Sequence, residues 1–268
     1  YLDIIICDDN AKPRIFKNQM SRVFVRDTSL IDFSINPVLD EAGNYSVAII
    51  DIDGDNDQDV YLSKCRGIAT DPKDLRRVNR LYINQDGNFI ENAKEFNLDD
   101  GSQSWTTDFG DIDNDGDLDA IILNHGSSSF LMENIGNKKF VNINGSSGFE
   151  IGGTPIQALF RDFDNDSDLD ILISGSEAII FENLGNNKFI KKNQLFGEIG
   201  FASFAVGDLN SDGFLDIYSA YPELLNDPRV TSNTLWLNNQ NQNHYIDLVL
   251  KGEQSNPNAI GSKVWIFV

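Results

Sequence analysis

The feature that most constrains the fold is an aspartate-rich string that occurs four times, each time directly before a short apolar run. Its clearest copy, "FGDIDNDGDLDAIILN" at 109–124, has an aspartate at every second position from Asp111 to Asp119. The other copies begin at Asp51, Asp162 and Asp208, so successive copies are 60, 51 and 46 residues apart. Periods of this size are typical of β-propellers and similar repeat arrays.

Each repeat contains the same series of predicted strands. A short strand leads into the aspartate loop, an apolar strand follows it, and then come a second strand that ends in asparagine and a third. Turn residues such as "IGNKK" and "LGNNK" separate the last two, as hairpins require. The runs after the loops lack polar alternation, which indicates strands that are buried on both faces. We therefore predict an all-β fold, a β-propeller built as a partial arc of about four to five four-stranded blades.

The blade pattern also sets the predicted domain boundaries. We assign residues 1–238 to propeller blades. The first blade is partial, and its three predicted strands are "LDIIIC", "RIFKNQ" and "SRVFVRD". The opening "YLDIIIC" matches the closing half of a repeat loop, so we expect the chain to begin inside a repeat. Residues 239–268 depart from the pattern and are predicted to start a different, truncated C-terminal β module.

The spacing within each loop is that of a hard-cation site. Side-chain oxygens recur at loop positions 1, 3, 5 and 9, and a backbone carbonyl at position 7 is expected to complete the shell. Without a cation, two carboxylates about 4 Å apart would repel by about 4 kcal/mol at an effective dielectric constant near 20. The predicted metal ligands, with position 7 included, are Asp51, Asp53, Asp55, Asp57 and Asp59; Asp111, Asp113, Asp115, Asp117 and Asp119; Asp162, Asp164, Asp166, Asp168 and Asp170; and Asp208, Asn210, Asp212, Phe214 and Asp216.

Calcium is the cation that fits this donor set best. The loops contain only oxygen donors and no histidine or cysteine, which argues against zinc. Magnesium favours octahedral geometry and keeps its waters, so it tolerates crowded carboxylates poorly. An EF-hand would need an acidic residue at position 12, where the loops have Leu62, Ile122, Ile173 or Ser219. We therefore predict about four Ca²⁺ sites with a structural role, in nine-residue loops within β-hairpins.

The four loops are not expected to bind equally well. Gly116 and Gly213 stand at position 6, where a left-handed turn is needed. Asn56 accepts that conformation at modest cost, whereas Ser167 should be strained there. Loop 4 has Asn210 in place of one carboxylate, which lowers its charge and should lower its affinity.

Charge and cysteine content restrict the partners. The formal net charge of −21 argues against nucleic-acid or anionic-membrane binding, and no apolar run reaches the length of a membrane span. Two cysteines, Cys7 and Cys65, are too few for a disulfide framework, and two separate thiols are favoured over a bridge. Residues 63–80 gather six basic side chains; they form either a partner-binding loop or, as we favour, a solvated connection whose charges satisfy neighbouring acids.

The motifs resemble the FG-GAP and VCBS repeats of integrin α-subunit propellers and of many secreted or surface bacterial proteins. "FGD" at 109–111 followed by "IDNDGDLD" matches that signature closely, whereas "IID" and "FRD" depart from it in loops 1 and 3. This resemblance covers residues 1 to about 238 and implies a complete propeller of seven or eight blades. The segment "NHYIDLVLKGEQSNPNAIGSKV" at 243–264 is similar to the opening of an ASPIC/UnbV domain.

Two functions remain open at the sequence level. The first is a calcium-stabilised scaffold, exported or at the cell surface, that binds a protein or glycan and has no catalytic residues. The alternative is the propeller domain of a secreted polysaccharide-degrading enzyme. Only two histidines occur, His125 and His244, and no GxSxG, HExxH or P-loop motif is present. Trp105, Trp236 and Trp265 could stack on sugars, although core packing is the preferred interpretation for the first two. We therefore expect a protein that is not an enzyme.

Overall fold

A computed structural model describes residues 2–20, 23–34, 42–197, 200–223, 227–228 and 231–253, together with 259, 262, 264 and 266. The described chain forms five antiparallel blade sheets, which follow one another along the sequence as in a propeller, and one additional two-stranded ribbon. Blades 2, 3 and 4 have four strands each, and the described parts of blades 1 and 5 have three. The predicted all-β arc of four to five blades is confirmed.

The strands pair in sequence order within each blade. Blade 1 contains β1 (Ile4–Ile6), β2 (Arg14–Asn18) and β3 (Phe24–Asp27); blade 2 contains β4 (Asn44–Ile50), β5 (Asp59–Lys64), β6 (Arg80–Gln85) and β7 (Asn88–Glu91). The one-turn helix α1 (Ala93–Phe96) leads to blade 3, which contains β8 (Ser104–Gly110), β9 (Asp119–Asn124), β10 (Phe130–Asn134) and β11 (Phe140–Asn142).

A second one-turn helix, α2 (Asn144–Ser147), follows blade 3. Blade 4 contains β12 (Pro155–Arg161), β13 (Asp170–Gly175), β14 (Ile179–Asn183) and β15 (Phe189–Lys192). Blade 5 contains β16 (Ser203–Gly207), β17 (Asp216–Ala220) and β20 (Thr234–Trp236), with a ribbon of β18 (Pro222–Glu223) and β19 (Asp227–Pro228) inserted before its last strand.

The hydrophobic cores lie between blades. Every residue of β5, β9 and β13 is buried, as their unbroken apolar sequences predict. Successive side chains of β9 point to opposite faces, so Ile121 packs against blade 4 while Ile122 packs against blade 2. The first strands β4, β8, β12 and β16 lie beside one another, as the inner strands of a propeller do. The aspartate loops, which follow these first strands, therefore lie at the same end of neighbouring blades.

Close packing between blades explains the glycine of "FGD". A side chain at Gly110 would lie 2.8 Å from Leu169 Cδ1 and 3.1 Å from Phe160 Cβ, both in blade 4. At the equivalent place in blade 5, Gly207 has room, with its nearest neighbour 3.9 Å away. Ile50 and Arg161 occupy this position in blades 2 and 4, so glycine is needed only where the next blade comes this near.

Most of the basic segment at 63–80 is an irregular connection between β5 and β6, and three of its basic side chains form hydrogen bonds or ion pairs within the fold. Lys64 is 2% exposed, and its ammonium group donates to the carbonyl of Ala42 and to Asn44 Oδ1. Arg77 donates to backbone carbonyls across the connection, and Arg76 pairs with Asp74 at 2.6 Å. The expected pairing with neighbouring acids is found for Arg76, whereas Lys64 is buried rather than solvated, and both Lys64 and Arg77 donate to carbonyl or amide oxygens instead.

Both cysteines are free thiols, as favoured from the sequence. In the described part of the chain, neither helix has the length or apolar character needed to cross a membrane.

Candidate functional site

Each aspartate loop connects the first two strands of its blade. In blade 3 the register pairs Gly110, directly before the loop, with Asp119 at loop position 9. The equivalent pairs are Ile50 with Asp59, Arg161 with Asp170, and Gly207 with Asp216. Strands rather than helices flank every loop, which confirms the exclusion of an EF-hand.

Two residues of each loop adopt left-handed backbone conformations. Position 6 has φ values of 73° at Asn56, 96° at Gly116, 77° at Ser167 and 88° at Gly213, as predicted. Position 4 is also left-handed, which was not predicted from the sequence. Its signal was present, because the residues there are Gly54, Asn114, Asn165 and Ser211, three of which belong to the types that tolerate this region best.

The same hydrogen bonds shape all four loops. The backbone N–H at position 6 donates to the position 1 carboxylate, for example from Gly116 to Asp111 Oδ2 at 2.9 Å. The N–H at position 7 donates to the position 5 carboxylate, for example from Asp117 to Asp115 Oδ1 at 2.9 Å. Because each carboxylate oxygen has two lone pairs, oxygens held in this way can still coordinate a cation.

The loops bring carboxylate oxygens close enough to share one ion. In three loops, three aspartates each offer an oxygen within 4.8 Å of the others. The groups are Asp51, Asp53 and Asp59 in loop 1; Asp111, Asp113 and Asp115 in loop 2; and Asp162, Asp164 and Asp170 in loop 3. Asp55, Asp119 and Asp166 fall outside these triads. Loop 4, in which Asn210 replaces an acid, has no such triad among the described residues.

The position 9 aspartate is buried, and its carboxylate connects the loop to the third strand of the blade through hydrogen bonds. Asp119 is 1% exposed, and its two oxygens accept backbone hydrogen bonds from Ile112 at 2.9 Å and Asn134 at 2.7 Å. The first donor belongs to loop position 2 and the second to the end of β10. Asp59, Asp170 and Asp216 are at most 2% exposed and make the equivalent pair of bonds in their own blades.

An asparagine at the end of the third strand in each of blades 2 to 5, or within two residues of that end, completes this arrangement. Its amide oxygen accepts an N–H from the following turn, and its amide nitrogen donates to a loop carbonyl. These residues are Asn84, Asn134, Asn183 and Asn238. Their recurrence is visible in the sequence, but their role is not. Asn238 repeats the pattern at the predicted domain boundary.

Burial and mutual repulsion raise the pKa values of several loop carboxyl groups. Burial raises the pKa of Asp119 to about 7 and of Asp170 to about 7, with smaller contributions from the acids at positions 3 and 5. Burial likewise raises the pKa of Asp59 to about 6. The pKa of Asp164 is also raised, first by burial and then by the charges of Asp166 and Asp162. Charged forms of these groups are therefore costly unless a positive charge compensates them.

The donor chemistry fits a divalent cation. Asp53 Oδ1 is buried and has no hydrogen-bond partner among the described residues, although it lies in the loop 1 triad. A buried carboxylate oxygen without a partner is unfavourable, and a cation would satisfy it. Several of these aspartate clusters could thus hold a metal ion.

The raised pKa values predict an unusual pH dependence for the calcium-free protein. The three position 9 carboxyls with folded-state pKa values near 6 to 7 would have a pKa of about 3.9 when unfolded. Between those values the folded state binds more protons, so the free energy of unfolding falls as pH rises. In a chelator we expect a higher melting temperature at about pH 5 than at about pH 7.5.

In saturating calcium the order should reverse, because protons then compete with the cation for the same oxygens. Thermal melts at both pH values, with and without calcium, provide the check. A calcium-free protein that becomes less stable on acidification over this range would contradict the assignment of the buried carboxyls.

Ser167 provides a second prediction. Its φ of 77° is unfavourable for a residue with a Cβ, at a cost of about 1 kcal/mol. We expect Ser167→Gly to stabilise the protein by up to about 1 kcal/mol and to tighten calcium binding by loop 3. The reciprocal change, Gly116→Ser, should destabilise the protein by a similar amount and weaken calcium binding by loop 2. Denaturant unfolding in saturating calcium measures both effects, and equal stabilities for the wild type and Ser167→Gly would refute the argument.

The remaining residues singled out from the sequence lie elsewhere. Trp105 is half-buried and stacks with Tyr45 at a centroid distance of 5.9 Å and with the exposed His125 at 4.3 Å. Trp236 packs edge-on against Phe196 and donates to Ser219 Oγ. His244 is exposed, and Trp265 lies outside the described residues.

The fold is a β-propeller array in which an aspartate-rich loop connects the first two strands of blades 2 to 5. Residues 162–219, which run from the start of loop 3 through loop 4, match the family model of the FG-GAP-like repeat. No curated protein shows a significant match to the chain. This segment is thus similar to an FG-GAP-like repeat, and it lies within an arc of propeller blades. The resemblance of 243–264 to an ASPIC/UnbV domain and the division at 238 stay predictions, and part of that segment lies outside the described residues.

Proposed function

We propose that this protein is a calcium-binding propeller scaffold in which calcium has a structural role. The observation that carries the proposal is the buried position 9 carboxylate, which connects its loop to the third strand of the same blade. A cation held by positions 1, 3 and 5, the position 7 carbonyl and this carboxylate would fix that connection. Each ion would therefore stabilise its own blade.

Calcium is preferred over other divalent cations. The clustered donors are all oxygens, and loops 1, 2 and 3 each bring together three carboxylates, which is more than magnesium usually accepts around one centre. The affinities of extracellular modules, about 10⁻⁴ to 10⁻³ M, suit a protein that meets millimolar calcium outside the cell. We therefore propose an exported or surface location.

The scaffold is proposed to bind a protein or glycan and to have no catalytic activity. The perturbed carboxylates of the aspartate loops are accounted for by metal binding, so no additional acid–base role is needed to explain them. Tyr45, Trp105 and His125 form an aromatic surface at the opposite end of the first strands from the loops. Aromatic surfaces with polar edges are common in recognition sites.

Calorimetric titration tests the metal assignment. Metal-free protein should bind calcium with dissociation constants of about 10⁻³ M or tighter and should bind magnesium far more weakly. Equal responses to the two ions would contradict calcium selectivity. A glycan array read together with a reducing-sugar release assay separates the scaffold from the enzyme alternative, since binding without release of sugar supports the scaffold and calcium-dependent release supports the enzyme.

A further inference from the structure

Buried hydrogen bonds connect loops 2 and 3. Asn183, which is 1% exposed, donates from its backbone N–H to Asp170, the position 9 carboxylate of loop 3, at 2.9 Å. Its amide nitrogen donates to the carbonyl of Ile112 in loop 2 at 2.8 Å. The N–H of Ile112 donates in turn to Asp119, the position 9 carboxylate of loop 2. One asparagine thus joins two metal loops of neighbouring blades.

The same connection recurs between loops 3 and 4. Asn238 donates from its backbone to Asp216 at 2.9 Å and from its amide nitrogen to the carbonyl of Phe163 at 2.7 Å. The N–H of Phe163 donates to Asp170 at 3.1 Å. A continuous path of hydrogen bonds therefore runs through the position 9 carboxylates of loops 2, 3 and 4.

A second set of bonds joins these loops at the surface. Asn114, at position 4 of loop 2, donates to Asp168 Oδ1 at 2.7 Å, beside the predicted backbone ligand of loop 3. Asn165, at position 4 of loop 3, donates to the carbonyl of Gly213 in loop 4 at 3.1 Å. In both cases the donor lies between two predicted ligands of its own loop, so ordering one loop places an amide on the next.

Loop 1 lacks both connections. Its position 4 residue is Gly54, which has no side chain to reach loop 2. Asn134, the counterpart of Asn183 in blade 3, donates to Leu118 within its own blade. Among the described residues it makes no bond to Ile52 of loop 1.

We propose that loops 2, 3 and 4 form one cooperative calcium-binding unit and that loop 1 binds independently. The proposal rests on the calcium-binding function proposed above. An occupied loop holds its position 4 and position 9 groups in place, which lowers the ordering cost for the adjoining loop. Couplings of this kind typically change affinities by about 5- to 150-fold, and they act equally in both directions.

The chain offers a site-resolved test. Gly54, Gly116 and Gly213 lie in loops 1, 2 and 4, and loop 3 has no glycine, so ¹⁵N-glycine labelling reports three loops separately. Loop 3 is disabled by Asp162→Asn with Asp166→Asn, and the amide signals are followed by NMR as calcium is added. We expect the calcium midpoints at Gly116 and Gly213 to rise by about fivefold or more, while the midpoint at Gly54 stays the same.

The matched control disables loop 1 by Asp51→Asn with Asp55→Asn, which should leave Gly116 and Gly213 unaffected. A second comparison uses Asn114→Gly with Asn165→Gly, which gives both loops the residue natural to loop 1. In this background, disabling loop 3 should raise the calcium midpoints at Gly116 and Gly213 by less. Asn186→Gly is the control and should leave that rise unchanged, because Asn186 is an exposed, left-handed asparagine with φ of 54° and no hydrogen bond to a loop among those described.

The outcomes separate the two proposals. Unchanged midpoints at Gly116 and Gly213 after loss of loop 3 would overturn cooperativity while leaving calcium binding intact. If the calcium midpoint at Gly54 rises as much as the midpoints at Gly116 and Gly213, loop 1 does not bind independently. If none of the three glycines responds to calcium in the wild type, the proposed function itself fails and the inference fails with it.

Discussion

Removing calcium should lower the melting temperature of this protein by about 10 °C or more. At free calcium about 100 times the dissociation constant, each bound ion adds about 2.7 kcal/mol to the free energy of unfolding. For a chain near this size, 1 kcal/mol corresponds to about 2 to 4 °C. Because neighbouring blades share hydrophobic cores, the loss of four ions should lower the melting temperature of the whole array by a large amount. Circular dichroism melts in calcium and in EDTA, matched for ionic strength, measure it.

The control for this experiment is magnesium at the same ionic strength, which should not restore the lost stability. Metal analysis must show that the chelated sample has been stripped. An unchanged melting temperature in a sample verified to be metal-free would rule out the structural role of calcium.

Replacing a position 9 aspartate should have the largest effect of any single substitution in the loops. In Asp119→Asn, one oxygen that accepts a backbone N–H becomes an amide donor, so a buried N–H of Ile112 or Asn134 loses its partner. An unsatisfied buried donor costs about 1–3 kcal/mol, and the loss of a metal ligand adds to that cost. We expect about 2–4 kcal/mol of destabilisation in saturating calcium and weaker binding by loop 2.

Asp117→Asn is the matched control, because it makes the same chemical change two residues earlier in the same loop. Asp117 is exposed, and its expected ligand atom is the backbone carbonyl, so stability should change by less than about 0.5 kcal/mol. Denaturant unfolding of both variants in calcium gives the comparison. Similar losses for the two variants would show that net loop charge, rather than the hydrogen bonds of the buried carboxylate, determines stability.

Features that depend on local periodicity could be predicted from the sequence. The fully buried strands β5, β9 and β13 follow from apolar runs without alternation, and the left-handed residue at loop position 6 follows from the spacing of the acids. The four acidic hairpin loops were placed correctly because one pattern recurred with strand signals on both sides.

Features that depend on contacts between distant residues could not be predicted. Asn183 acts through Ile112, which lies 71 residues earlier in the chain, and no local pattern encodes that distance. The requirement for Gly110 depends on how near Leu169 comes from the next blade. The hydrogen bonds of Arg77 likewise depend on the carbonyls of Gly101 and Ala69, which only the fold brings to this side chain.

The account depends on divalent ions that neutralise the converging loop carboxylates and connect the strands of each blade. The most direct test is a crystal structure grown in millimolar calcium, with anomalous difference density measured at a wavelength where calcium scatters. The account predicts a peak in each of the four loops, surrounded by oxygens of positions 1, 3, 5, 7 and 9 at about 2.3–2.6 Å. Well-ordered loops without such peaks would contradict it.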